Sequence, residues 1–139
     1  MGLWLRNTEL NAFQLSESDV NTFHHYSSAE DLERQIVEPK QHRCLLICTE
    51  WMARTRGSLV RTDLPVFARE KVGSLNSGLV AGKTNTIYQW KSPRDILNPK
   101  SWFINKTANP KIWFHDLLRT DGTPYNQTEI ELFKKFTES

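Results

Sequence analysis

The sequence predicts an α/β domain built on a parallel sheet, and three observations carry that expectation. Six uncharged residues, Cys44 to Thr49, have the length and composition of a buried strand and stop abruptly on Glu50. Upstream, Asp19 to Tyr26 alternates in the manner of a strand, with Val20, Thr22, His24 and Tyr26 on one face and Asn21, Phe23 and His25 on the other. Helix signals fall between and after these segments, giving the order strand, helix, strand, helix, strand, which is the rhythm of parallel strands joined by right-handed crossovers.

Each element has its own reason. Leu3-Trp4-Leu5 is a short apolar patch without a period and reads as a loop or the tail of an element. Ser28 is an N-cap with Asp31 in the reciprocal position, and Leu32, Gln35 and Ile36 form a helical stripe that Pro39 is expected to end. Met52 to Thr62 reads as a basic loop. Asp63 then caps a second helix, with Pro65 in its first turn and Gly73 as its stop. Asn76 to Gly82 is expected to be the third strand. From Lys83 to Tyr125 the chain is aromatic and broken by prolines, and Asn98-Pro99-Lys100 is echoed at Asn109-Pro110-Lys111. Asn126 and Glu129 form a capping pair for a last helix whose apolar face is Ile130, Phe133 and Phe136.

Bulk properties narrow the function. The 139 residues suit one domain, and 38% hydrophobic with 24% charged residues is a globular composition. A net charge of +2 gives no reason to expect nucleic acid or a membrane surface as partner. No run of about 20 apolar residues is present, and Met1 to Asn11 lacks the layout of a signal peptide, so the compartment is undetermined and cytoplasmic by default. Cys44 and Cys48 lie about 13 Å apart along a strand at about 3.3 Å per residue, too far for a disulfide, and read as buried thiols. Gly78-Leu79-Val80-Ala81-Gly82-Lys83-Thr84 nearly spells a phosphate-binding loop but has three residues between its glycines where four are needed, and no helix pattern follows. Neither a cofactor nor a metal is expected.

Glu50 is the residue with the clearest chemistry. Strict alternation puts Cys44, Leu46, Cys48 and Glu50 on one face, and the carboxyl ends of parallel strands form the reactive rim of such folds. A plain solvated carboxylate at a strand end is the competing reading. Arg54 and Arg56 follow, placed to fix the loop, to touch a substrate or simply to be solvated or salt-bridged.

Several blocks in order then resemble the C-terminal part of (β/α)8-barrel glycoside hydrolases, most closely cellulase- or xylanase-like bacterial members of the retaining group that uses two Glu residues. They are Asp19 to Tyr26, Thr49-Glu50-Trp51-Met52-Ala53-Arg54, Leu64-Pro65-Val66-Phe67 with Glu70-Lys71-Val72-Gly73, Gly78 to Thr84, and Trp113-Phe114-His115-Asp116 with Asp121-Gly122-Thr123-Pro124-Tyr125. The resemblance implies a partial TIM barrel, about the last three βα units, with a long aromatic loop and a C-terminal helix. Residues 1–139 would be a single incomplete domain whose strands correspond to the sixth, seventh and eighth of the barrel. It also implies that Glu50 is the catalytic nucleophile of a retaining double displacement on a β-linked oligo- or polysaccharide. His24 and Tyr26 would border the same pocket, one or the other donating a hydrogen bond that keeps Glu50 ionised, while Trp51 and Trp90 would stack on sugar rings.

Two departures are visible: Ser77 stands where related enzymes carry Trp, and Ser92 to Asn109 is expanded. A complete barrel takes about 250 residues. The acid/base would be a second Glu about 5 Å from the nucleophile, on an earlier strand. Glu17, Glu30 and Glu33 do not occupy such a place. Two expectations follow: a truncated glycosidase, inactive by itself, or a non-catalytic carbohydrate-binding or structural remnant. A sheet left open would also self-associate through its edges.

Overall fold

A computed structural model describes Leu3 and residues 8–42, 44–90 and 109–137. In order the elements are α1 (Thr8–Glu17), β1 (Val20–His25), α2 (Ala29–Gln41), β2 (Leu45–Trp51), a 3-10 turn at Arg54–Arg56, α3 (Val60–Glu70), β3 (Gly73–Asn76) and α4 (Gln127–Thr137). Among the described residues this is a mixed α/β arrangement of four helices on a three-stranded sheet. The sheet is parallel throughout, in the order β1-β2-β3, so β2 is central. No helix among the described residues is long and apolar enough to cross a membrane.

One face of the sheet makes the core. Asn21, Phe23 and His25 of β1 and Leu46, Cys48 and Trp51 of β2 are all buried. Against them pack Leu32 and Ile36 of α2, Val60, Leu64 and Phe67 of α3, and the half-buried Ile130, Phe133 and Phe136 of α4. Burying a side chain such as Phe67 or Leu32 is worth about 1.5–3 kcal/mol, so this face supplies most of what holds the sheet to the helices. The opposite face is thinner. Leu45 is 69% exposed and Leu75 57%, beside half-buried Ile47.

The helices form where their sequence asks for them, with three boundary corrections. Ser28 caps α2, its hydroxyl accepting the Asp31 N–H at 3.4 Å. Pro39 does not end α2, which continues to Gln41 with Pro39 in its last turn, where one missing N–H removes a single bond from a terminus that frays anyway. α3 begins at Val60 rather than at Asp63. Asp63 lies buried in the first turn and accepts from the Ser58 hydroxyl at 2.6 Å and the Thr62 hydroxyl at 2.9 Å. Pro65 is consequently inside the helix, and the stop is Lys71 in the left-handed region at φ 54°, not Gly73. Gly73 instead opens β3. The third strand therefore lies earlier than its expected span of Asn76 to Gly82, sharing only Asn76 with it; Ser77 to Gly82 is a loop tied to the chain near Leu118 by a short parallel bridge from Val80.

α1 was not expected. Its weak apolar stripe, with Leu15 buried but Phe13 60% exposed, leaves no clear helical period in the sequence. Trp4, Trp102 and the first copy of the Asn-Pro-Lys echo lie outside the described residues. In α4, Asn126 accepts the Thr128 N–H at 3.0 Å, while Glu129 turns away from the cap to meet Arg54.

Candidate functional site

Parallel pairing brings the carboxyl ends of all three strands to one end of the sheet, and a bulge decides what stands there. Phe23 pairs with Cys48, but the next residue, His24, pairs with Glu50, so Thr49 is an extra residue in β2. An inserted residue reverses the alternation beyond it. Glu50 therefore leaves the face of Cys48, where strict alternation had placed it, and joins His24 on the open face. Trp51 takes the core side.

The Glu50 carboxylate is held by side chains from the neighbouring strand. The Tyr26 hydroxyl donates to Glu50 Oε2, and His24 Nδ1 lies 3.3 Å from the same oxygen. Both His24 and Glu50 are about half exposed, so this ion pair is worth little when the imidazole is charged. The Tyr26 oxygen also lies 3.1 Å from Ser77 Oγ. Ser77 is fixed in turn by its N–H, which donates to the Trp51 carbonyl at 3.1 Å. Thus Tyr26 after β1, Glu50 of β2 and Ser77 after β3 form one chain of hydrogen bonds across the strand ends. Burial, reinforced by the bond to Glu50, raises the Tyr26 pKa above the ordinary phenol value, so the hydroxyl stays protonated and remains a donor.

An aromatic wall rises beside this chain. Trp90, 42% exposed, meets the Tyr26 ring at 4.5 Å and Phe114 at 4.9 Å, both nearly perpendicular, and His115 at 5.3 Å. The Arg56 guanidinium lies over the Trp90 ring at 5.1 Å from its centroid. His115 is buried, and its Nδ1 is 2.5 Å from the Met52 carbonyl oxygen. A carbonyl only accepts, so Nδ1 carries the proton and Nε2 is left as an acceptor on a neutral ring. Burial holds the His115 pKa below its usual value, which agrees with that tautomer.

The turn that leaves β2 is held from both sides. Met52 has φ 70°, an uncommon conformation for a residue with a side chain, costing on the order of 1–3 kcal/mol. Its N–H donates to Ser58 Oγ at 3.0 Å and its carbonyl accepts from His115. The Ser58 hydroxyl donates in turn to Asp63, whose carboxyl is shifted upward by burial. Two residues on from Met52, Arg54 ties distant parts of the chain together. Its Nε and Nη2 reach the two Glu129 oxygens at 3.0 and 2.5 Å, and it donates to the carbonyls of Trp113 at 3.1 Å and Asp116 at 3.0 Å. The Tyr125 ring covers the guanidinium, its centroid 4.8 Å from the guanidinium carbon. Arg54 thus binds the end of β2 to α4 and to the segment that carries His115.

Of the residues singled out in the sequence, Glu50, His24, Tyr26 and Trp90 come together here and Trp51 does not. Trp51 is fully buried between Phe67 at 5.0 Å and Phe133 at 5.8 Å, so it is a core residue and unavailable to a sugar ring. The bulge at Thr49 is the physical reason. His25 is likewise on the core side, with Nδ1 3.1 Å from Gln35 Oε1 of α2. Sequence reasoning did not single out His115 or Ser77 as site residues, because neither sits on a periodic element. Gly78 shows how tightly that corner closes, since a Cβ there would lie 2.8 Å from Asp116 Oδ1.

Among the described residues no group of three or more His, Cys, Asp or Glu side chains is arranged to hold a metal ion. Burial pushes the Cys48 thiol up to about 12, so it is not a nucleophile at neutral pH. Comparison with protein-family models, with curated proteins and with solved structures found no match to this chain.

Proposed function

We propose that the strand ends form the nucleophile half of a retaining glycosidase site, with Glu50 attacking the anomeric carbon of a β-linked sugar. The observation that carries this reading is the Glu50 carboxylate at the rim of the central parallel strand, oriented by the Tyr26 hydroxyl and standing beside His24 and an indole-bearing wall. A carboxylate attacks only when ionised and aimed, and a phenol whose pKa is raised by burial stays a donor to it at neutral pH. As Glu50 bonds to the anomeric carbon, the glycosidic C–O bond breaks and its electron pair leaves with the departing oxygen, which an aryloxide such as dinitrophenolate carries away without protonation. Trp90 offers an apolar surface suited to the C–H face of a pyranose, with Arg56 occupying one side of the ring. In this reading the three strands are the last three of a (β/α)8 barrel.

The side chains that reach the Glu50 carboxylate among the described residues are Tyr26 and His24, and neither is a carboxylic acid. Both are ordinary hydrogen-bonding partners for sugar hydroxyls, which suits a second reading, a carbohydrate-binding module whose carboxylate only hydrogen-bonds sugar hydroxyls. Leaving groups that need no protonation separate the two, because general acid catalysis, worth about 10²–10⁴-fold, is then dispensable. Release of dinitrophenolate from dinitrophenyl β-cellobioside by the chain, compared with Glu50→Ala, is the test. A rate above that of the variant supports the enzyme reading. Equal rates, with saturable binding of cello-oligosaccharides, support the binding module.

A further inference from the structure

The basic side chains at this end of the sheet are used unequally. Arg54 is buried and spends its donors on Glu129 and two backbone carbonyls. His24 shares the Glu50 carboxylate. Arg56 is exposed, and among the described residues no carboxylate pairs with it; what positions it is the Trp90 ring, 5.1 Å away. A guanidinium held over a ring by its charge spends no hydrogen bond there, which leaves N–H donors available, in the fork that matches a carboxylate bidentately.

Position adds to chemistry. Trp90 touches Tyr26 at 4.5 Å, and Tyr26 holds Glu50, so the guanidinium is linked to the carboxylate of the site through two rings in contact, an indole and a phenol. A negatively charged ligand directly at Glu50 would be repelled. Beyond these two rings, the same charge meets Arg56 and is separated from Glu50 by aromatic side chains.

We propose that Arg56, held over the Trp90 ring, is a carboxylate-binding position, and that the glycan taken by this site carries a uronic acid near the sugar that faces Glu50. The assignment rests on the glycosidase-type reading above and adds to it a substrate class. Arg56 is a specificity residue in this scheme, touching the substrate but not the reacting atoms.

Calorimetric titration of the full chain tests it, with a xylo-oligosaccharide bearing one glucuronic acid and with the same oligosaccharide after its carboxyl has been reduced to an alcohol. At low ionic strength the acidic ligand is expected to bind about fivefold more tightly, the upper range for an exposed ion pair. Arg56→Met should remove the preference, and Arg56→Lys should restore part of it. The exposed position makes Arg56→Met a variant that folds, which circular dichroism checks. Equal affinity for the two ligands overturns the Arg56 assignment while leaving the carbohydrate site standing. A preference that survives in Arg56→Met overturns it as well. Binding of neither ligand overturns this assignment, while the reading on which it rests is judged separately by cello-oligosaccharide binding and cellobioside turnover.

Discussion

The Tyr26 hydroxyl donates to Glu50 Oε2 while its oxygen lies 3.1 Å from Ser77 Oγ, so one phenol joins the ends of all three strands. Removing that hydroxyl leaves the ring packed against Trp90 but takes a donor from the carboxylate. Tyr26→Phe is expected to keep the fold and to slow dinitrophenyl glycoside turnover by about tenfold, the value of one hydrogen bond to a charged group. Ser77→Ala, which removes only the relay partner, should cost less. A Tyr26→Phe variant as fast as the parent would show that the bond does not prepare Glu50.

The Arg54–Glu129 pair makes a different kind of prediction. The Arg54 side chain is 5% exposed and that of Glu129 12%, so deleting one charge strands the other. Arg54→Met is expected to destabilise the chain by about 3–5 kcal/mol in urea unfolding. Replacing both, as Arg54→Met with Glu129→Leu, should recover much of the loss, because no unpaired charge is then buried. If the double variant were as unstable as the single one, the carbonyl bonds to Trp113 and Asp116 would be the larger contribution.

His115 sets a pH dependence. Its folded pKa is lowered, chiefly by burial, so the unfolded chain binds the proton more readily. The stability this residue contributes is therefore present above the unfolded histidine value of about 6.5 and is lost as pH falls from there toward the lower folded value. Urea unfolding at pH 7.5 and 5.5 should show a smaller decline in His115→Gln than in the parent. The same decline in both would mean that another group titrates.

On the open face, Leu45 and Leu75 are large, apolar and mostly exposed on adjacent strands. Concentration-dependent self-association in sedimentation is expected, weakened in a Leu45→Lys, Leu75→Lys double variant. A compact monomer at all concentrations would contradict this.

Much of the frame was legible because it is written locally. The Ser28 cap, the Leu32 and Ile36 stripe, and the charge-free run of β2 each state their structure in adjacent residues. What could not be read depends on partners distant in sequence. Thr49 becomes a bulge only against β1, and that single insertion moves Glu50 to the open face and Trp51 into the core. Alternation alone gave both the wrong side. β3 was placed late because Gly73 looks like a helix stop until its pairing with Ile47 is seen. His115 and Ser77 sit on loops, where no period marks them, and the role of Glu129 is fixed by Arg54, 75 residues away.

The most direct measurement is covalent trapping. A 2-deoxy-2-fluoro β-cellobioside with a dinitrophenolate leaving group needs no general acid to load a nucleophile and slows the release of the ester formed. Mass spectrometry of the treated chain is expected to show one added fluoro-cellobiosyl group, mapping to the peptide that contains Glu50 and absent from Glu50→Gln. An unmodified Glu50 after prolonged treatment, in a chain that still binds the sugar, would contradict its role as nucleophile.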